Sequence, residues 1–146
     1  MTDRSAARQG PGVAAGVTEP MISAVVHRFY DQVRADPDIG PIFNRVIPDA
    51  AWPAHLAKLC DFWSSVLLMS GRFKGSPMAA HAALPDLQTR HFTRWLQLFR
   101  ETVEATCPVP AAALFVEKSE MIAKSLQLGM AVSRGELPPM SERLRR

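Results

Sequence analysis

The sequence predicts a small all-α domain, and three observations lead there. Apolar residues recur at helical spacing in four separate stretches, no stretch alternates apolar and polar residues with period two, and proline or glycine punctuates the gaps between stretches. The chain has 146 residues, 47% of them apolar, which fits one domain at roughly 100 to 200 residues per domain. A chain of this size buries about two-thirds of the surface its unfolded form exposes, so its core needs neither a disulfide nor a structural metal.

Residues 1–17 mix glycine, alanine and polar side chains without periodicity and read as a mobile N-terminal arm. Thr18 and Pro20 then open a helix over about residues 20–35, with Ile22, Val25, Val26, Phe29 and Val33 on one face. Asp36 and Pro37 start a short helical piece that Gly40 and Pro41 disturb before Phe43. Asp49 and Pro53 mark the next start, and Trp52, Leu56, Leu59, Trp63 and Val66 form a stripe that runs to Ser70 and Gly71. Between Gly75 and Pro85, Ser76 can cap and Pro77 can occupy the first turn of a helix of only about two turns, which carries His81. Residues 86–106 place Phe92, Trp95, Leu96, Phe99 and Val103 together, and after the break at Cys107, Pro108 and Pro110 a last helix runs over about 110–132. The domain is thus expected over 18–133, with a flexible tail over 134–146.

The formal charge of +3 belongs to the ends of the chain. Residues 18–133 hold eleven basic and eleven acidic side chains, whereas 1–17 contribute +1 and 134–146 contribute +2. A nucleic-acid-binding domain carries its basic footprint on folded elements, so no nucleic-acid partner is expected. Cys60 and Cys107 lie far apart and outside any Cys-x-x-Cys or Cys-x-x-Cys-His pattern, which suits a reducing cytoplasm and excludes covalent haem attachment through that motif. No run of about 18 apolar residues is present for a membrane span and no signal-peptide core opens the chain, so a soluble cytoplasmic protein is expected.

The four histidines, His27, His55, His81 and His91, show none of the paired spacings that a zinc or di-iron site uses. Phosphate-binding glycine loops and the nucleophile-elbow motif are also missing. What stands out is one histidine on a short helix bracketed by turn residues and a second on a long helix. A lone imidazole in a dry helical pocket suits the axial position of a haem iron and leaves the sixth position for a small molecule. A satisfied core or surface histidine would look the same in sequence.

Three ordered blocks sharpen this. FYDQVRADPDIGPIFNRVI, WPAHLAKLCDFW and the string from GRFKGSPMAAH to LPDLQTRHFTRWLQLF resemble the group III truncated haemoglobins over roughly residues 20–130. No Gly-Gly dipeptide, a mark of the other two truncated groups, is present. The resemblance implies a two-over-two α-helical sandwich enclosing haem b. It implies His81 as the proximal iron ligand, with Tyr30, His55 and Trp95 around the sixth site. It places Phe43 on the haem face. Lys58, one turn beyond His55, is then expected to meet a haem propionate, and Leu59 and Phe62 to wall the pocket.

Several donors around one ligand imply slow ligand escape, a poor property for oxygen delivery. The expected role is therefore tight capture of, or chemistry on, dioxygen, nitric oxide or peroxide, with carbon monoxide as a further ligand and a reductase as electron donor. Without flexible glycine turns, ligands are expected to reach the pocket past His55 as its side chain swings outward. Two other readings stay open: a six-coordinate haem sensor with His55 on iron, and a haem-free helical interaction module.

Overall fold

The computed structural model describes residues 10–75 and 87–133. Within them lie six α-helices and no strand: α1 (Pro11–Ala14), α2 (Glu19–Ala35), α3 (Gly40–Val46), α4 (Trp52–Leu68), α5 (Thr89–Thr106) and α6 (Val109–Ser133), with a 3₁₀ turn over Asp49–Ala51. The long helices form two layers: α4 packs on α2, α6 packs on α5, and α2 and α5 meet where the layers face each other. His81 lies outside the described residues, as do residues 1–9 and the tail from residue 134.

The helix ends follow from local chemistry. The Thr18 hydroxyl accepts the Met21 N–H at 3.3 Å and Pro20 sits in the first turn of α2, a cap of about 1 kcal/mol. At the other end, Asp36 accepts the backbone N–H groups of Asp38 and Ile39, both at 3.0 Å, and so turns the chain into α3. Gly40 and Pro41 begin α3 and do not disturb it, because proline lacks only an N–H that a first turn leaves unpaired anyway. A Cβ on Gly40 would stand 2.7 Å from the Arg34 carbonyl oxygen, so glycine allows α3 to fold back closely on α2.

One expectation needs correction. The arm reading covered residues 1–17, but Pro11–Ala14 forms a helical turn that packs on α4, with Gly12 buried and Val17 only 5% exposed. A Cβ on Gly12 would come within 2.8 Å of the Leu67 carbonyl oxygen. The contact is made by close backbone approach, which leaves no apolar periodicity to read.

Two clusters of buried side chains result. The larger joins α2, α4, α5 and the start of α6 around Phe29, Trp63, Phe99 and Phe115. In it Phe99 lies in parallel stacks with Trp63 and Trp95, at ring separations of 5.2 and 5.3 Å. The smaller gathers Ile42, Leu87, Phe92, Ala123, Leu126 and Met130, from α3, the start of α5 and the later turns of α6.

Candidate functional site

A cavity of about 230 Å³ lies between the two clusters. Tyr30, Phe43, His55, Lys58, Leu59, Phe62 and Trp95 all line it. Those seven residues come from α2, α3, α4 and α5, and the α4 members follow at helical spacing from His55 to Phe62.

Tyr30 is 6% exposed and is the chain's only tyrosine. Burial pushes its phenol up to about 12, and the neighbouring Trp95 indole, a donor only, partly opposes that rise. The hydroxyl thus keeps its proton at ordinary pH, with Trp95 beside it. Phe29 fixes this pair, standing edge-on to Tyr30 at 4.7 Å and to Trp95 at 5.2 Å.

His55 is half-buried and stands edge-to-face against both Tyr30, at 6.3 Å, and Trp52, at 5.4 Å. Trp52 is 2% exposed and does not line the cavity, and its buried indole N–H has no hydrogen-bond partner among the described residues. Lys58 and Lys74 are exposed where they border the cavity, so cations stand at its rim.

The opposite wall is formed by Leu87, Phe92, Ile122, Ala123 and Leu126 with His91. His91 is 5% exposed, and its Nδ1 accepts the Gln88 backbone N–H at 2.9 Å. A neutral imidazole that accepts at Nδ1 carries its proton on Nε2. In this arrangement His91 has no nitrogen lone pair to offer a metal.

Gly75 and Leu87 both line the cavity, so the chain leaves one wall and rejoins another six residues on either side of His81. The approach to Gly75 is pinned. Arg72 donates to Glu19 at 2.8 and 3.1 Å and to Asp61 at 3.1 Å, while the Phe73 N–H donates to the Ser65 hydroxyl at 2.9 Å. The Arg72 guanidinium also holds the Glu19 carboxyl below the usual carboxylate range, although burial opposes it.

Sequence reasoning missed the far wall, because an apolar side chain facing a cavity and one facing a core carry the same helical spacing. It also missed Lys74 and the packing of Trp52 on His55. The i and i+3 positions of Trp52 and His55 on one helix were the available signal for that contact.

No protein-family model matches the chain. Over 113 residues it is 34% identical to the group 3 truncated hemoglobin ctb of Campylobacter jejuni, a match covering 76% of this chain and 89% of that protein. The crystal structure of the group III truncated hemoglobin from Campylobacter jejuni superposes with a TM-score of 0.74 at 33% identity, over 78% of this chain and 91% of that one. No helix among the described residues is long and apolar enough to cross a membrane. With this identity and coverage, and with the same two-layer helical fold, the chain belongs to the group III truncated haemoglobins, a family of haem-binding globins.

Proposed function

We propose that the cavity holds haem b with His81 on the iron, and that the protein captures or transforms dioxygen, nitric oxide or a related small ligand and does not transport oxygen. The observation that carries this reading is the buried Tyr30 phenol, kept protonated at the wall of an apolar cavity and backed by Trp95. The surroundings fit a porphyrin. Phe43, Leu59, Phe62 and Phe92 offer apolar contact to a flat macrocycle, and Lys58 and Lys74 are rim cations suited to its carboxylates. His81 is tethered six residues from cavity-lining positions on both sides. Haem iron, when bound, supplies an open coordination position for a diatomic ligand.

The chain's own residues then divide the work. Tyr30 donates its O–H to a negatively polarised ligand atom, and Trp95 orients the phenol by donating to its oxygen. His55, packed against Tyr30 and Trp52, closes the path from solvent and opens it by swinging outward. A cytoplasmic location and a reductase as electron donor belong to the same reading.

Haem titration of the full chain, followed by the ferrous absorption spectrum, tests it. A five-coordinate ferrous spectrum is expected, and His81→Ala is expected to lose stable haem uptake or to regain it only with added imidazole, while His91→Ala leaves ligation unchanged. Retention of the parental spectrum in His81→Ala overturns the ligand assignment. A six-coordinate ferrous spectrum that His55→Ala abolishes would place His55 on iron.

A further inference from the structure

Trp52 is an anomaly beside the wall just described, because its buried indole N–H has no partner among the described residues, which favours turning the ring toward water. What opposes that turn lies outside the cavity. The Arg34 guanidinium carbon sits 4.7 Å from the centroid of the Trp52 ring, over its face. Arg34 is itself fixed by Asp49 at 2.7 Å and by the Asn44 side-chain oxygen at 3.3 Å, while the Asn44 amide donates back to the Arg34 carbonyl at 3.1 Å. Neither Arg34 nor Trp52 lines the cavity, yet Trp52 contacts the rings of both His55 and Tyr30.

We propose that Arg34 and Trp52 are positioning residues for the gate: the guanidinium holds the indole in its buried place, and the indole holds the His55 ring inward against Tyr30. The inference rests on the reading of His55 as the gate. With Arg34 gone, Trp52 is free to turn its N–H to solvent, and His55 loses the surface that backs it. The helix α2 residue Arg34 thus sets how often the path opens without touching haem or ligand.

The test uses the full-length ferrous haem-loaded protein with carbon monoxide as the probe. Arg34→Met is expected to speed carbon monoxide association about threefold or more and to accelerate hydrogen exchange at the Trp52 indole N–H about tenfold, whereas Arg34→Lys, which restores a cation over the ring, stays near the parent in both. In a His55→Ala background, Arg34→Met should add nothing to association, since the gate is already removed. Unchanged association in Arg34→Met, or equal acceleration with and without His55, overturns the positioning role. If His55→Ala is itself no faster than the parent, the gate reading fails and the inference falls with it. If His55→Ala is faster while Arg34→Met is not, the gate stands and only the role of Arg34 and Trp52 is refuted.

Discussion

The two clusters that face each other across the cavity are built on different principles. The larger one closes on itself: Phe29 touches Tyr30, Trp95 and Phe99 within 5.2 Å, and Trp63, Phe99 and Trp95 stack in sequence. Among the described residues the smaller has Phe92 as its one ring, beside aliphatic and methionine side chains. Leu87, Phe92, Ala123 and Leu126 of that cluster border the cavity directly. Among the described residues Ile122 packs against both. The phenol of Tyr30 and the indole of Trp95 stand on the larger side, and the smaller side, with fewer ring contacts, is expected to gain more of its stability from whatever occupies the cavity. A donor needs a rigid mount, whereas an apolar wall can gain its packing from the occupant.

This contrast is most strongly tested by removing haem. Amide exchange in the first turns of α5 and the later turns of α6 should then accelerate on the order of 10²-fold or more, because bound ligand stabilises the elements that contact it. Amides around Phe29, Phe99 and Val103 should retain most of their protection. A uniform loss across both clusters would show that they form a single cooperative unit.

Core truncations sharpen the same contrast. Phe99→Ala should cost about 3 to 5 kcal/mol in chemical denaturation with or without haem, and Leu126→Ala about 2 to 4 kcal/mol when haem is bound and less without it. Equal costs for Leu126→Ala in both states would contradict the dependence of the smaller cluster on the occupant.

A smaller effect belongs to the joint near both clusters. Burial alone would raise the Asp36 carboxyl, but Arg94, bonded at 2.7 and 2.9 Å, and the N–H groups of Ile39 and Asp38 outweigh it and hold the carboxyl below its ordinary value. A carboxylate with a depressed folded value contributes stability above its unfolded pKa of about 3.9, and that contribution disappears as pH falls through the folded value. Arg94→Met removes the principal partner and leaves burial to dominate. Its acid-unfolding midpoint, followed by circular dichroism, should lie at higher pH than the parent's. An unchanged midpoint would mean that the two backbone donors suffice.

Much of this architecture is legible in the sequence, for reasons that particular residues make plain. Thr18, Pro20 and the Ile22 to Val33 stripe announce α2 because capping and period agree. His55, Lys58, Leu59 and Phe62 are readable as one wall because a helix repeats its face every three or four residues. Tyr30 and Trp95 are legible as a pair only through family resemblance, since their contact crosses two helices. The Arg34 to Trp52 contact likewise links separate elements and leaves no periodic mark. Gly12 against Leu67 is invisible for another reason, since its packing is made of backbone.

The central claim is that the self-supporting wall retains the bound ligand through one buried phenol. The oxygen dissociation rate of ferrous-oxy Tyr30→Phe, compared with the parent, tests this most directly. The account expects the rate to rise about tenfold, equivalent to about 1.4 kcal/mol. Trp95→Phe should raise it less than additively with Tyr30→Phe, because the indole acts on the phenol oxygen. A Tyr30→Phe rate equal to the parent's would contradict the claim and assign ligand retention elsewhere in the cavity.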